Sequence, residues 1–290
     1  MALLLGASCS DWTETENIDN TVLKPWEQDP ALWADYTAAL RAYKASAHYL
    51  SYARLHNSPS PASSEQDFMR CLPDSLDIVT LTNADNFSAY DAEDMATMRE
   101  KGTKVLYQVD YAARKAEFSG EAALKAYLDG VIAAVAANGM DGYSFTADPL
   151  DAAATATIVA TLSAAKGDTR LLVFEGNPLS VAAADRAKLD FVVLDTEKAE
   201  NTTEVQLQVL NATGYAGIPA GKLLLAAEID APLQDADRTE YAAVAAMARC
   251  VVEFGPLAGL AAYPIAGGHY PADRHPSPIP RADPPVDPSK

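Results

Sequence analysis

The sequence predicts an α/β fold in which parallel strands close into one barrel. Short apolar strands alternate with polar turns and with amphipathic or alanine-rich helices, which is typical of a parallel sheet with helices outside. Eight such strands can be recognised, and a doubly wound open sheet would use fewer. The 290 residues, of which 49% are hydrophobic, can bury one large core. We therefore predict a single (β/α)8 TIM barrel.

The predicted strands and helices follow one another in a regular order. The strands are expected at residues 48–56, 76–82, 104–110, 139–149, 170–175, 191–196, 222–228 and 259–264. Helical spacing or capping residues predict helices at residues 30–45, 63–71, 92–101, 120–137, 150–165 and 238–254. Gly102 and Gly139 are expected to end the helices that precede them.

The fourth strand has the most informative side-chain pattern. Because side chains alternate along a strand, three small polar residues share the inward face, namely Ser144, Thr146 and Asp148. Pro149 has no N–H to donate and suits the end of a strand. Asp148 should therefore lie at the rim of the barrel, where the active sites of parallel barrels are found.

We predict four segments along the chain. Residues 1–9 are expected to be a signal remnant, 10–45 a tether and a helix, 46–270 the barrel, and 271–290 a proline-rich tail. Repeated prolines cannot form a helix because each removes a backbone donor and blocks the preceding turn. The eighth helix of the barrel is thus expected to be missing or replaced by this tail.

Composition limits the possible partners. Forty acidic and 22 basic residues give a formal charge of -18, which disfavours nucleic acid and anionic lipid surfaces. The three cysteines, Cys9, Cys71 and Cys250, have neither metal-ligand spacing nor a disulfide framework. We expect Cys71 and Cys250 to be buried thiols, and we predict no cofactor and no metal site.

The first residues resemble the end of a bacterial lipoprotein signal. A short apolar run and small residues precede Cys9, and the acidic segment 10–16 is similar to the surface-export signals of Bacteroidetes lipoproteins. The basic region of such signals is missing, and Gly6 stands where Leu or Val is usual. The resemblance implies acylation of Cys9 and a surface-exposed lipoprotein of the outer membrane, anchored by lipid alone. A truncated secretory signal or a frayed N-terminus is the alternative.

The carboxyl ends of the predicted strands form a ring of acids with aromatic neighbours. These residues are Arg54, His56, Thr82, Asn83, Asp110, Tyr111, Asp148, Glu175, Asn177, Asp195, Glu197, Glu228, Asp230 and Tyr263. Carboxylate pairs can perform acid–base work on a glycosidic bond, and acids with aromatic faces can also bind sugars without cutting them. A metal site is a third option, but the few histidines lack ligand spacing.

Residues 141–148 resemble a degenerate copy of the fourth-strand signature of glycoside hydrolase family 18, Asp-Gly-x-Asp-x-Asp-x-Glu. Only Asp141 and Gly142 are identical to the signature. Residues 104–111 and 259–263 add to the likeness, and the whole pattern resembles the family 18-like lipoproteins that Bacteroidetes encode among glycan-utilisation genes.

The resemblance implies substrate-assisted cleavage, in which a glutamic acid protonates the leaving oxygen while the substrate's N-acetyl group attacks. Asp148 takes the place of that acid, Thr146 that of the acetamide-holding aspartate and Ser144 that of the inner aspartate. Asp is one methylene shorter than Glu, a misplacement of roughly 1 Å that can cost about 10²-fold in rate. Thr146 has no charge to stabilise the oxazolinium. The tyrosine that the family supplies from strand six is not evident, and Asp195 is the best polar candidate there.

We therefore expect a catalytically impaired lipoprotein that binds N-acetylglucosamine-containing oligosaccharides. The candidate binding residues are Tyr107, Asp110, Tyr111, Ser144, Thr146, Asp148, Glu175, Asp195, Glu228 and Tyr263. The alternative is an active endo-β-N-acetylglucosaminidase or chitinase-like hydrolase, with Asp148 as the acid or with Glu175 or Glu228 in its place. A third hypothesis is a barrel with a filled cleft that assembles with outer-membrane glycan-transport proteins.

Overall fold

The computed structural model describes residues 23–62 and 64–263. The chain separates into two compact units, residues 1–36 and residues 37–290. The described part of the first unit contains helix α1 (Pro25–Gln28) and the start of α2 (Pro30–Ala45). Within it the rings of Trp26 and Trp33 lie 5.7 Å apart. Cys9 and the proline-rich tail lie outside the described residues.

The second unit confirms the predicted (β/α)8 barrel. Its eight barrel strands are β1 (Leu50–Leu55), β2 (Ile78–Leu81), β3 (Lys104–Val109), β4 (Gly142–Phe145), β5 (Leu171–Glu175), β6 (Phe191–Leu194), β7 (Leu223–Glu228) and β10 (Gly259–Tyr263). They are parallel and follow one another around the barrel, and β10 pairs with both β7 and β1 to close it.

Helices cover the outside of the barrel. They are α3 (Ala89–Lys101), α4 (Tyr111–Arg114), α5 (Glu121–Asn138), α6 (Ala152–Lys166), α7 (Ala183–Arg186), α8 (Thr202–Leu210) and α9 (Ala243–Glu253). As predicted, α3 and α5 end at glycines in the left-handed conformation, Gly102 with φ 75° and Gly139 with φ 64°. Among the described residues, no helix is sufficiently long and apolar to cross a membrane.

Two predicted helices differ from the structure. In place of the α-helix predicted for residues 63–71, residues 64–71 contain two 3₁₀ turns, Glu65–Asp67 and Met69–Cys71. Helix α9 begins five residues later than predicted because β8 (Pro232–Gln234) and β9 (Glu240–Ala242) form an antiparallel hairpin before it. The Asp235 carboxylate accepts hydrogen bonds from the backbone N–H groups of Asp237 and Thr239 and thereby stabilises the turn.

The core has two layers, which follow from the alternation of side chains along each strand. One set of buried residues fills the barrel interior, with Tyr52, Ile78, Leu106, Val173, Val193, Leu224, Ala226, Ala261 and Tyr263 among its members. The neighbouring strand residues pack outward against the helices. Cys250 is buried in this outer layer, whereas Cys71 is only partly buried. Burial raises the pKa of the Cys250 thiol to about 11, so it is an unreactive thiol at neutral pH.

Candidate functional site

Glu175, the last residue of β5, is the centre of a buried polar cluster inside the mouth of the barrel. Its Oε1 accepts hydrogen bonds from Tyr52 Oη at 2.8 Å and from Gln108 Nε2 at 3.1 Å. Its Oε2 accepts from Tyr263 Oη at 3.1 Å and from Arg54 Nε at 2.6 Å. Arg54 Nη2 forms an ion pair with the same oxygen at 2.6 Å. We call these five residues the Glu175 cluster.

The Glu175 cluster draws on four strands, because β1 supplies Tyr52 and Arg54 while β3 and β10 supply Gln108 and Tyr263. Arg54 also lies over the Tyr263 ring, with its Cζ 4.0 Å from the ring centroid. Burial, together with the nearby Glu175 carboxylate, raises the pKa of Tyr52 and of Tyr263 well above the usual value. Both phenols are therefore neutral donors, and the carboxylate of Glu175 is surrounded by donors.

A cavity of about 290 Å³ lies next to this cluster at the carboxyl ends of the strands. Its polar lining consists of Arg54, Thr146, Glu175, Asn177, Ser180, Asp195, Glu197, Lys198 and Tyr263. Phe174 is also part of the lining, but it packs in the outer layer of the core and only 1% of the residue is exposed. A cavity lined mainly by polar side chains can bind a polar ligand.

Four of the ten candidate binding residues line this cavity, namely Thr146, Glu175, Asp195 and Tyr263. The Thr146 hydroxyl donates to Asp110 Oδ1 at 2.7 Å and accepts from the backbone N–H of Ala112 at 3.0 Å. Asp110 also accepts from the backbone N–H of Ala113 as the N-cap of α4. Thr146 is thus tied to the loop after β3, whereas the structure shows no hydrogen bond for the Asp195 carboxylate within the described residues.

Asp148, in the place of the family's catalytic acid, is not among the residues that line the cavity. Strand β4 ends at Phe145, so the alternation predicted for residues 144–148 does not continue to Asp148. Its Oδ2 accepts from Lys115 Nζ at 2.8 Å, and its Oδ1 accepts from the backbone N–H of Leu150 at 2.8 Å. These hydrogen bonds lower the pKa of the Asp148 carboxyl. It is consequently ionised at neutral pH and has no proton to donate.

The remaining candidates lie elsewhere in the fold. The fully buried Ser144 exchanges a hydrogen bond with Thr80 inside the barrel. Tyr107 faces the helices because it follows the outward alternation of β3, and its hydroxyl donates to Asp85. Tyr111 also packs in the outer layer and donates to Asp151 at 2.7 Å. Glu228 is exposed at the end of β7.

Sequence reasoning missed Tyr52 and Gln108, and it placed Glu197 at the rim without giving it a role. Alternation within β1 would have placed Tyr52 beside Arg54 on the inward face. Glu197 lines the cavity, and its Oε2 is the one buried side-chain N or O atom in the described part of the chain without a hydrogen-bond partner. Burial raises the pKa of the Glu197 carboxyl, and the negative charge of Asp195 raises it further. The positive charges of Arg54 and Lys198 lower this pKa but do not cancel the effect of burial.

No cluster of three or more potential metal-ligating side chains occurs within residues 23–62 and 64–263. The polar groups that line the described cavity are carboxylates, the Asn177 amide, hydroxyls, the Arg54 guanidinium and the Lys198 ammonium.

Comparison with known proteins shows what this barrel is similar to. A family profile described as glycoside hydrolase family 18, BT1044-like, matches residues 13–132. The predicted resemblance to glycoside hydrolase family 18 is therefore confirmed, and within that family the similarity is to the BT1044-like group. A comparison with curated protein sequences finds no match.

Solved structures share the fold at low sequence identity. A glutamate-to-glutamine variant of BT1044 superimposes with a TM-score of 0.65 at 15% identity, over 85% of this chain and 90% of that one. An endo-β-N-acetylglucosaminidase from Cordyceps militaris gives a TM-score of 0.60 at 15% identity, over 79% and 85% of the two chains. A chitinase from Bacteroides thetaiotaomicron gives 0.58 at 10% identity, over 75% and 89%.

Proposed function

We propose that the protein binds N-acetylglucosamine-containing glycans in the cavity beside the Glu175 cluster and does not cleave them by the substrate-assisted mechanism. The observation that carries this proposal is that Asp148 is paired with Lys115 and is not among the residues that line the cavity. In cellular terms the protein would capture glycans as a surface lipoprotein acylated at Cys9 and deliver them to outer-membrane transport proteins.

The arrangement of charge supports the loss of cleavage. Protonation of a glycosidic oxygen requires an acid that keeps its proton and reaches the scissile bond. The pKa of Asp148 is lowered by its contact with Lys115. Glu175 accepts four hydrogen bonds and forms an ion pair with Arg54, and Glu228 does not line the cavity. None of the three acids considered from the sequence therefore meets both requirements.

The cavity lining supports sugar binding. The Asp195 carboxylate, the Asn177 amide and the Lys198 ammonium offer both acceptors and donors to hydroxyl and acetamide groups. The neighbours that are an endo-β-N-acetylglucosaminidase and chitinases support N-acetylglucosamine as the sugar unit.

Asp195→Ala is expected to weaken the binding of chitooligosaccharides at least about tenfold, since a hydrogen bond to a charged group contributes about 1.5–3 kcal/mol. Isothermal titration calorimetry on the purified full chain measures the change. Glu228→Ala serves as the matched control, because it removes an exposed carboxylate outside the cavity, and its affinity should equal that of the wild type. Equal affinity of wild type and Asp195→Ala would contradict the proposed site.

A second candidate function, hydrolysis with Glu197 as the acid, is favoured by one specific observation. Glu197 combines a position in the cavity with a raised pKa, which is the property of a proton donor near neutral pH. An active enzyme of this type would lose rate as the pH rises through the raised pKa of Glu197, because the acid must be protonated.

The two candidates are separated by a cleavage assay with chitooligosaccharides at high protein concentration. A Glu197-dependent hydrolase should lose turnover in Glu197→Gln and keep it in Asp148→Asn. A binding protein should show no turnover in either variant or in the wild type while it retains affinity. Turnover that is lost only in Asp148→Asn would contradict both assignments.

A further inference from the structure

We propose that the glycan site extends into a second cavity on the outer side of β6, where a further neutral sugar residue of the same oligosaccharide binds. This inference rests on the proposed function of the first cavity. The second cavity measures about 250 Å³ and lies between the segment after β5 and the C-terminal end of α8. Its lining consists of Asn177, Pro178, Leu194, Asp195, Gln208 and Asn211.

The two cavities are adjacent, because Asn177, Leu194 and Asp195 line both. Pockets for small ligands usually measure roughly 300–1,000 Å³. Each cavity alone lies just below this range, with about 290 Å³ and about 250 Å³, whereas the two together fall within it. Asp195 stands at the boundary and can contact sugar units on both sides.

The chemistry of the second cavity indicates a neutral ligand rich in hydroxyl groups. Three side-chain amides line it, and each amide offers both donors and an acceptor. Asn177 Oδ1 accepts from the backbone N–H of Leu179 at 3.0 Å, which leaves its NH₂ group for a ligand. The side chains of Gln208 and Asn211 make no hydrogen bond within the described residues. No lysine or arginine lines the cavity, so nothing there would favour an anionic sugar.

The backbone places the two outer amides on one face. Gln208 and Asn211 are three residues apart, a spacing that brings side chains together on a helix. After Leu210 the helix widens into a π-helical turn, Asn211–Tyr215, in which the Ala216 N–H donates to Asn211 O at 2.9 Å. Arg186 Nη1 donates to Ala216 O at 2.9 Å and fixes the end of this turn. Such turns occur frequently at functional sites.

The test compares a short and a long ligand on the full chain. N-acetylglucosamine, measured by ligand-observed NMR, can occupy one cavity, whereas chitotetraose, measured by calorimetry, can occupy both. Gln208→Ala combined with Asn211→Ala should weaken chitotetraose binding about tenfold, the effect of losing two neutral hydrogen bonds, and leave the monosaccharide affinity unchanged. Gln208→Ala alone should cause part of this loss of chitotetraose affinity. Because it is a single substitution on a helix surface, this variant should fold and allow its affinity to be measured even if the double variant does not fold.

Gln206→Ala is the matched control, because Gln206 is an exposed amide on the same helix and does not line either cavity. It should bind both ligands as the wild type does. If the double variant binds chitotetraose as tightly as the wild type, the second cavity does not bind a sugar, and this result would not contradict the proposed function. Equal losses for both ligands would also overturn the second cavity. Failure of the wild type to bind either sugar would overturn the proposed function, and this inference with it.

Discussion

Replacement of Glu175 by alanine is expected to lower the free energy of unfolding by about 3–5 kcal/mol, the cost of removing one partner from a buried ion pair. The Glu175 side chain is 1% exposed and holds Arg54 at 2.6 Å. Its loss would leave the guanidinium without its counter-ion and three further donors without their acceptor, those of Tyr52, Gln108 and Tyr263. Urea denaturation followed by circular dichroism measures the change.

Two further variants make the Glu175 test specific. Glu175→Gln keeps the volume and one acceptor oxygen, so its loss of stability should be smaller than that of Glu175→Ala. Glu228→Ala removes an exposed glutamate at the end of β7 and should change stability by no more than about 0.5 kcal/mol. If Glu175→Ala also changed the free energy of unfolding by no more than about 0.5 kcal/mol, the Glu175 cluster would not contribute to the stability of the barrel.

The fold could be predicted because its determinants are local in sequence. Runs such as residues 104–109 alternate with helices whose ends carry capping residues and glycines, and these signals depend on a few neighbouring residues. The hairpin of β8 and β9 was missed because its turn depends on a side-chain interaction of Asp235. Similarly, the 3₁₀ turns of residues 65–71 have the polarity pattern of a short helix.

The site could be predicted only in part, because its contacts join strands that are distant in sequence. The rule that strand ends meet at the mouth of a barrel placed Glu175, Asp195 and Tyr263 there, and alternation along the fourth strand placed Thr146 on the inward face. The hydrogen bond between Tyr52 and Glu175 spans 123 residues, and no local pattern indicates it. The family signature was mapped on residues 141–148, but strand β4 ends at Phe145. The signature therefore did not predict the position of Asp148.

The two residues that are identical to the family 18 signature, Asp141 and Gly142, have structural roles. Asp141 accepts hydrogen bonds from the backbone N–H of Val105 at 3.0 Å and from Lys104 Nζ at 2.9 Å. It therefore fastens the start of β4 to β3. Gly142 permits close packing of β4 against β5. Both residues that are identical to the signature therefore contribute to the packing of β4 against its neighbouring strands.

Gly142→Ala is expected to destabilise the protein by about 3 kcal/mol or more, from backbone strain together with overpacking. Gly142 has φ 152°, a conformation that residues with a side chain rarely adopt. An alanine Cβ at this position would lie 2.1 Å from the carbonyl oxygen of Leu171 in β5. Backbone atoms in a paired strand cannot move away without breaking the pairing of β4 with β5. Chemical denaturation of the purified variant measures the loss.

Gly130→Ala provides the matched control for the same substitution. Gly130 lies within α5, and an added Cβ there meets no atom within 4 Å. Alanine should stabilise this helix by about 0.5–1 kcal/mol, because it restricts the unfolded chain and has the higher helix propensity. The two variants should therefore change stability in opposite directions. A Gly142→Ala protein as stable as the wild type would show that β4 does not depend on this glycine, and the retained Asp-Gly pair would then need a functional explanation.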